Sequence, residues 1–427
     1  VRPDQIEADI DECRARGKPW SSYHQPVEFP DLIIFPESTG DVSKALKVCH
    51  AHRIPVVALA GGTSLEGQIM APTGGVCMDF SRMKSVLEVN EKDLDCTVQP
   101  GLGYLELNDA LAPRGVWFPL DPGPGAAIGG MCSCRCSGST AVRYGSMRDN
   151  VLSLTVVLAD GTVVKTGGKA RKSSAGYDLT RLFIGSEGTL GIVTEATLKL
   201  HNVPSFSYAM RLTFPDVASA AATARDTLRS GVSVGRCEMV DKQMVEVMNR
   251  YYLQSDGSIP HDSWDETTTL LYEVVGISDS SVREQLDVVS KVASSHGCTG
   301  SVVLTDKSDC AQLWRRRKEA IWATMGLYPD REPMVTDACV PLSGLPDLIA
   351  TSRAWLDESG LPSPLLAHAG DGNIHAVIMV RADNKEEVQL AKNLSAKMAL
   401  KAISLGGTCT GEHGIGVGKK ELLKAEM

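Results

Sequence analysis

The spacing of apolar residues predicts alternating helices and strands in the first half of the chain. Apolar side chains recur at helical intervals over residues 41–52, and either Thr39 or Asp41 is expected to cap that helix. The uninterrupted apolar run 54–59 predicts a buried strand. A second apolar strand is predicted over residues 151–158, and Asp160-Gly161 is a hairpin turn signal before a return strand at 162–164.

The pattern changes after about residue 204, where glycine becomes sparser and helices lengthen. Two helix faces are predicted, and their apolar members are Val217, Ala220, Ala221, Ala224 and Leu228 in the first and Val282, Leu286, Val289 and Ala293 in the second. Strands are predicted at 270–275 and 301–304, and residues 365–380 predict two strands around an Asp371-Gly372-Asn373 turn. This mixture favours an α+β domain with an antiparallel sheet.

Composition and charge narrow the possible classes of protein. A chain of 427 residues favours two domains, and 43% hydrophobic with 22% charged residues is typical of a soluble globular protein. The net charge of −9 argues against a nucleic-acid-binding protein and gives no reason to expect adhesion to anionic lipid. No apolar run approaches the roughly 18–20 residues of a membrane-spanning helix. The first residues lack an initiator Met and any targeting segment, which predicts a processed N-terminus.

The twelve cysteines are scattered, and several lie in apolar runs, as Cys49, Cys77 and Cys339 do. They predict buried free thiols in a reducing compartment. In the segment 131–136 the cysteines occupy every second position. This spacing does not suit a tetrahedral metal site, and it favours small residues in a glycine-rich loop.

Three glycine-rich segments can present their backbone to a large ligand. Residues 59–67 offer successive N–H groups as an anion cradle but match neither a P-loop nor a dinucleotide fingerprint, and a structural turn explains them equally well. Residues 121–145 combine glycine and proline between apolar segments, which favours backbone wrapped against a planar ligand over an ordinary surface loop. Residues 185–194 are a weaker signal of the same kind.

Two short motifs near the end of the chain carry a sharper signal. His368 and His375 bracket Gly-Asp-Gly-Asn, and a hairpin there would bring two imidazoles together as metal ligands do. Glu412 and His413 are neighbours in an extended glycine-flanked segment and point to opposite sides, so Glu412 can complete a His-His-Glu site while His413 faces substrate. The alternatives are satisfied core histidines and a solvated Glu–His pair.

A run of three arginines, Arg315-Arg316-Arg317, falls on a predicted helix. Such a run is usually a solvated face. One of the three can instead turn into a cleft and clamp a carboxylate by two hydrogen bonds.

In this order the motifs resemble the FAD-linked D-lactate dehydrogenases of the cytochrome type, which are vanillyl-alcohol-oxidase-like (PCMH-type) flavoproteins, and the organellar plant, algal and animal members in particular. The resemblance runs over nearly the whole chain and is closest at 60–67, 119–130, 137–150, 173–194, 368–375 and 407–416. It implies an α+β fold with a two-subdomain FAD-binding domain over residues 1–204. A substrate or cap domain follows over residues 205–400 and has an antiparallel sheet flanked by helices. The C-terminal segment 401–427 returns to the flavin site.

The same resemblance implies an enzyme that oxidises D-lactate to pyruvate by hydride transfer to a non-covalent FAD. The implied site residues are His368, His375 and Glu412 for a zinc or manganese ion, His413 as the base, Arg317 as the carboxylate anchor, and Asn373 as a further catalytic residue. The implied FAD contacts are Ala60, Gly61, Gly62, Thr63, Ser64, Leu65, Pro122, Gly123, Gly129, Gly130, Gly138, Ser139, Tyr144, Glu187, Gly191, Ile192 and Val193.

Two departures from the family and several alternatives remain. Relatives continue beyond the position of Met427 with a segment near Asn-Pro-Gly-Lys that approaches the flavin. Val335 stands where D-2-hydroxyglutarate dehydrogenases carry a lysine, which argues against a second substrate carboxylate. Rival substrates are glycolate, longer D-2-hydroxy acids and D-2-hydroxyglutarate. Rival classes are a metal-dependent hydrolase and a non-catalytic flavin-binding scaffold.

No motif selects the electron acceptor among cytochrome c, a quinone and an electron-transfer flavoprotein. The family implies a soluble mitochondrial protein, with the plastid as the alternative for an algal or plant member.

Overall fold

Within residues 1–19, 23–254 and 263–427, which this computed structural model describes, the strands assemble into three larger sheets and one two-stranded pair. The chain divides into two units. Unit 1 comprises Val1–Gly138, Tyr144–Val203 and Glu412–Lys419, and unit 2 comprises Ser139–Arg143, Pro204–Gly411 and Lys420–Met427. Over the same described ranges, no helix is both long and apolar enough to cross a bilayer.

Short strands and helices alternate in the first half of the chain. The strands of unit 1 are β1 (Ile6–Glu7), β2 (Leu32–Ile34), β3 (Val56–Leu59), β4 (Val76–Asp79), β5 (Val86–Asn90), β6 (Asp95–Val98), β7 (Val116–Trp117), β8 (Val151–Val157), β9 (Val163–Lys165), β10 (Ile192–Lys199) and β11 (His201–Asn202). The helices up to residue 203 are α1 (Ile10–Gly17), α2 (Thr39–His52), α3 (Tyr104–Leu111), α4 (Ile128–Cys134), α5 (Ala141–Tyr144), α6 (Met147–Asn150) and α7 (Leu179–Phe183).

The first sheet has the strand order β1-β2-β4-β3, and β4 runs parallel to both β2 and β3. Parallel strands need a crossover, and α2 provides it between β2 and β3. The cap of α2 is Ser38, whose hydroxyl accepts the Asp41 N–H at 3.2 Å, so the expectation of Thr39 or Asp41 is wrong. Thr39 lies inside the helix, and its hydroxyl donates to Thr194 Oγ1 at 3.0 Å.

The second sheet has the order β5-β6-β10-β8-β9, and every pairing in it is antiparallel. The predicted strand at 151–158 is β8, and the predicted hairpin turn at Asp160-Gly161 joins it to β9, with Gly161 at φ +82°. Leu107, Phe118 and Ile128 are fully buried in the core beside this sheet. The local pattern therefore predicted this part of the fold correctly.

The segment 131–136 differs from the predicted loop, because its first four residues complete helix α4. The start of this helix is fixed by a tertiary hydrogen bond, in which the Ile128 N–H donates to the Leu102 carbonyl at 2.9 Å. Burial raises the pKa of Cys132 and of Cys134 to about 12, which favours neutral thiols. All twelve cysteines are free thiols.

Unit 2 has longer elements. Its strands are β12 (Phe206–Phe214), β13 (Val234–Val240), β14 (Thr268–Gly276), β15 (Gly300–Leu304), β16 (Glu332–Val335), β17 (Ala338–Cys339), β18 (Leu365–His368) and β19 (Asn373–Val380). Its helices are α8 (Val217–Arg229), α9 (Lys242–Gln254), α10 (Asp279–Ser295), α11 (Lys307–Lys318), α12 (Ala320–Leu327), α13 (Leu345–Ser359), α14 (Lys385–Ser404) and α15 (Lys420–Glu426).

The sheet of unit 2 has the order β15-β12-β14-β13-β18-β19-β16, with β17 added on β19, and its pairings are antiparallel as predicted. The predicted apolar faces of α8 and α10 are buried except at Leu228, which is half-buried, and Ala220, Ala224 and Val289 are completely enclosed. Strands β13, β18 and β19 of this sheet carry the polar residues described next.

Candidate active site

The predicted histidine hairpin is present in unit 2. Strands β18 and β19 pair with His368 opposite Asn373 and Leu366 opposite His375, so both histidines lie on one face of the sheet. Their ring centroids are 5.3 Å apart and the ring planes are inclined at 86°. Gly372 closes the turn at φ +82°, where a Cβ would lie 2.1 Å from the Val340 carbonyl oxygen. Only glycine fits both requirements.

Each imidazole is oriented through its Nδ1 atom. His375 Nδ1 donates to the Thr336 carbonyl oxygen at 2.9 Å, and His368 Nδ1 lies 2.8 Å from Glu238 Oε1. A carbonyl or an ionised carboxylate oxygen only accepts, so each ring carries a proton on Nδ1, and a neutral ring then has its lone pair on Nε2. Neutral imidazoles oriented in this way are typical of metal ligands.

Glu238 joins His368 to the predicted carboxylate anchor. Arg317, near the end of α11, donates from Nη2 to Glu238 Oε2. Arg317 is only 9% exposed, and its buried Nε finds no hydrogen-bond acceptor among the residues that the structure describes. Of the three consecutive arginines, Arg315 is exposed, whereas Arg316 stacks on the Trp264 ring at 4.5 Å. Arg317 is thus the one of the three that is joined through Glu238 to His368.

Asn373 lies beside the histidine pair, with Nδ2 at 3.4 Å from His375 Nε2. Its side-chain oxygen is buried and has no hydrogen-bond partner within the described ranges of the chain. A buried polar atom without a protein partner is a candidate contact for a ligand or an ordered water. Asn373 was a catalytic candidate from the sequence, and this geometry places it at the histidine pair.

Asp337 is a second buried carboxylate near the pair, and sequence reasoning did not single it out. Its Oδ2 accepts from Thr410 Oγ1 at 2.6 Å and from the Gly411 N–H at 2.9 Å, and its Oδ1 lies 3.9 Å from His375 Nδ1. Thr410 and Gly411 directly precede Glu412 in the chain. Asp337 therefore fixes the backbone from which the Glu412-His413 motif continues.

The Glu412-His413 motif belongs to unit 1, where side chains of that unit hold it. Ser137 Oγ donates to Glu412 Oε2 at 2.6 Å, and Gln68 Nε2 donates to the His413 carbonyl at 2.7 Å. The Glu187 carboxylate accepts the N–H groups of Ile415 and Gly416 at 2.7 and 2.9 Å. Glu187, predicted as an FAD contact, thus uses its carboxylate to anchor this segment.

The glycine-rich segments of unit 1 pack backbone against backbone. A Cβ at Gly61 would lie 2.4 Å from the Gly125 carbonyl, so the segments 60–65 and 122–130 are in direct contact. At Gly123 and Gly130, by contrast, an added Cβ would meet none of the described atoms within 4 Å. These two glycines leave the backbone open on one side, as a cradle for a ligand requires.

The remaining predicted FAD contacts occupy mixed positions. Ile192 and Val193 are buried in β10 and pair with Val157 and Val156 of β8. Tyr144 makes an edge-on contact with the His201 ring, with centroids 4.7 Å apart. Ser139 lies in unit 2, whereas the other predicted FAD contacts lie in unit 1.

Two known protein families match the chain. The family described as FAD binding domain matches residues 30–167, and the family described as FAD linked oxidases, C-terminal domain, matches residues 203–427. The match boundaries correspond to a flavin-binding part followed by the part that contains the antiparallel sheet and the histidine hairpin.

Several curated proteins are similar over most of the chain. The mitochondrial D-lactate dehydrogenase [cytochrome] of Arabidopsis thaliana is 47% identical over 427 residues, which is 100% of this chain and 74% of that protein. The corresponding protein of Kluyveromyces lactis is 40% identical. The match covers 96% of this chain and 71% of that protein. Glycolate oxidase subunit GlcD of Bacillus subtilis is 32% identical. The match covers 94% of this chain and 84% of that protein.

Among solved structures, p-cresol methylhydroxylase with substrate bound superposes with a TM-score of 0.76 at 19% identity. The match covers 96% of this chain and 87% of that protein. At this identity the likeness establishes the fold, and it confirms the PCMH-type α+β architecture that the sequence predicts.

Proposed function

We propose that this chain, which belongs to the family of FAD-linked D-lactate dehydrogenases of the cytochrome type, oxidises D-lactate to pyruvate. As a member of that family it is an FAD-dependent oxidoreductase. The observation that carries the choice of site is the buried pair His368 and His375 on one sheet, where His368 contacts the Glu238 carboxylate that also pairs with Arg317 of α11. Membership of a flavin-linked family also removes the support for a metal-dependent hydrolase.

A divalent zinc or manganese ion fits the histidine pair. His368 and His375 present imidazole nitrogens, and both Nδ1 atoms are engaged by oxygens behind the rings. The orphaned Asn373 oxygen supports a ligand at the same place. Glu412 would complete the set of three ligands. When bound, the ion supplies Lewis acidity toward the substrate oxygens.

Binding of the substrate carboxylate is assigned to Arg317. Its buried Nε–H is a donor in need of an acceptor, and a guanidinium binds a carboxylate through parallel hydrogen bonds. Together with the proposed metal site, this contact would fix the face of C2 from which the hydride leaves and so favour the D over the L isomer.

Removal of the hydroxyl proton is assigned to His413. An imidazole has an ordinary pKa that suits proton transfer near neutrality. The Gln68 amide holds the His413 carbonyl, so the backbone of the base is fixed before substrate arrives. The products of this half-reaction are pyruvate, a proton on the base and a reduced flavin.

Non-covalent FAD is assigned to the glycine-rich segments of unit 1. Residues 60–65 would bind the pyrophosphate, and 122–130, 138–144 and 187–193 would surround the remainder. The open sides of Gly123 and Gly130 support this assignment. FAD supplies the two-electron acceptor.

The names of the relatives support a mitochondrial location and a cytochrome as electron acceptor. We therefore propose cytochrome c as the acceptor, ahead of a quinone or an electron-transfer flavoprotein.

Glycolate is the second candidate substrate, because the Bacillus subtilis relative is named as a glycolate oxidase subunit. A dicarboxylate such as D-2-hydroxyglutarate is less compatible, because the apolar Val335 is buried on β16 opposite Val377 of β19. Steady-state kcat/KM values for D-lactate, glycolate and D-2-hydroxyglutarate with an artificial electron acceptor separate the candidates. We expect D-lactate to have the highest value, and a higher value for either competitor would overturn the assignment.

A further inference from the structure

We propose that Glu238 is a positioning residue that fixes both the tautomer of His368 and the orientation of Arg317 through one buried carboxylate. This role rests on the metal site proposed for His368 and His375. It links two parts of the site that neither the family matches nor the sequence motifs connect.

The sheet register places Glu238 next to His368, on the neighbouring strand. Strand β13 pairs with β18 so that Val240 lies opposite Leu366. Two residues further along the antiparallel pair, Glu238 lies opposite His368 on the same face of the sheet. Glu238 is 0% exposed. One carboxylate oxygen meets His368 Nδ1 at 2.8 Å, and the other accepts from Arg317 Nη2. The two oxygens are thus divided between two functional side chains.

The charge of Arg317 explains why a carboxylate is needed at this position. A buried guanidinium requires a compensating anion, and Glu238 supplies it. Because the ionised carboxylate only accepts hydrogen bonds, His368 must carry a proton on Nδ1, and the neutral ring then has its lone pair on Nε2. A single buried anion therefore satisfies Arg317 and prepares His368 as a metal ligand.

The variant Glu238→Gln separates this role from simple packing, because glutamine has the same shape. Its one amide oxygen will be taken by the cationic Arg317, which is the stronger donor. The amide NH2 then faces His368 Nδ1 and donates to it, so the ring proton moves to Nε2. A protonated Nε2 cannot ligate a metal.

The matched control is Glu273→Gln. Glu273 lies on β14 of the same sheet, with its oxygens 3.5 Å from Arg236 Nη1 and 2.7 Å from Ser207 Oγ. This substitution also removes the carboxylate of a Glu–Arg pair, but one whose partners are not metal-ligand candidates. It reports the effect of losing such a pair on the fold alone.

The test uses the full chain with FAD bound and all metal removed by chelation. The 15N resonances of labelled histidine rings report the tautomer, and His368→Asn assigns the His368 signals. Zinc alone is then titrated into each protein. We expect an Nδ1–H tautomer in the wild type and an Nε2–H tautomer in Glu238→Gln. The zinc dissociation constant should rise roughly 10- to 100-fold in Glu238→Gln and stay unchanged in Glu273→Gln.

An Nε2–H tautomer of His368 in the wild type would overturn the role of Glu238, as would unchanged tautomer and zinc affinity in Glu238→Gln. If Glu238→Gln does not fold, the wild-type tautomer decides alone. A wild type that binds neither zinc nor manganese would instead overturn the proposed metal site, and the tautomer readout in metal-free protein keeps the two outcomes distinct.

Discussion

Among single residues, His413 is the first to test, because it is the proposed base. We expect His413→Ala to retain FAD, because the contact that fixes this position uses the backbone carbonyl and Gln68, which the substitution leaves in place. Reduction of the bound flavin by D-lactate should slow roughly 100- to 10,000-fold. Rapid mixing without oxygen measures this rate, and His50→Ala on the exposed surface of α2 is the control. Reduction at the wild-type rate would exclude His413 as the base.

Arg317 is the second residue that a substitution can test. Arg317→Lys keeps the charge that faces Glu238 but loses the planar fork, so kcat/KM for D-lactate should fall about 10- to 100-fold, equivalent to a charge-assisted hydrogen bond of roughly 1.5–3 kcal/mol. Arg315→Lys, which alters an exposed arginine on the same helix, should leave kcat/KM unchanged. Equal effects of the two substitutions would contradict the anchor role.

The sequence was sufficient to find the histidine pair but not Glu238. His368 and His375 are seven residues apart with two glycines between them, so local turn chemistry alone brings the rings together. Glu238 reaches His368 across 130 residues of chain, and only the register between β13 and β18 makes them neighbours. A lone acidic residue in an otherwise buried strand was the one available signal.

At the scale of elements, the β18–β19 hairpin depends on Gly372. We expect Gly372→Ala to lower the melting temperature and weaken zinc binding, because a Cβ there combines left-handed strain with a 2.1 Å clash against the Val340 carbonyl. Gly360→Ala after α13 is the matched control, since Gly360 has φ +68° and no described atom within 4 Å of its Cβ position. Left-handed strain alone should lower the free energy of unfolding of the Gly360→Ala control by about 1–2 kcal/mol. Equal losses in both variants would show that the clash is not significant.

The last helix, α15, carries a pH-dependent contact. Burial opposes ionisation of Glu426, but hydrogen bonds from the Cys409 N–H and the Thr408 hydroxyl outweigh it and lower the pKa of this carboxyl below 4.5. The contact therefore stabilises the fold fully above pH 4.5. This stabilisation is lost as the pH falls through the lower pKa that Glu426 has in the folded state.

The corresponding test compares Glu426→Gln with the wild type by thermal unfolding across this pH range. At neutral pH the variant should be less stable by about 1 kcal/mol. The difference should close in acid, where the wild-type carboxyl becomes protonated. A difference that stays constant from neutral to acid pH would contradict the assigned pKa direction.

Element prediction failed where tertiary contacts override a local pattern. The glycines and cysteines around residue 131 favour a loop, yet α4 forms there because Leu102 accepts the first N–H of the helix. The long helices α8 and α10 have strong apolar periodicity and few competing signals, and their buried faces were predicted correctly except at the half-buried Leu228.

At the scale of the whole molecule, the change of pattern near residue 204 agrees with the two family matches, 30–167 and 203–427. Composition and periodicity predict two structurally different parts, and the bounds 1–204, 205–400 and 401–427 stay predictions. These signals did not reveal the partners of the Glu412-His413 motif. Ser137 and Gln68 hold this motif across 275 and 345 residues of chain, and no local rule predicts contacts over such separations.

The central claim is that the chain transfers a hydride from D-lactate to bound FAD. The most direct measurement is anaerobic stopped-flow mixing of the FAD-loaded protein with D-lactate or with L-lactate while the flavin absorbance is followed. We expect complete bleaching by D-lactate in a single turnover and no comparable bleaching by L-lactate. A flavin that stays oxidised with D-lactate, or that bleaches equally fast with both isomers, would contradict it.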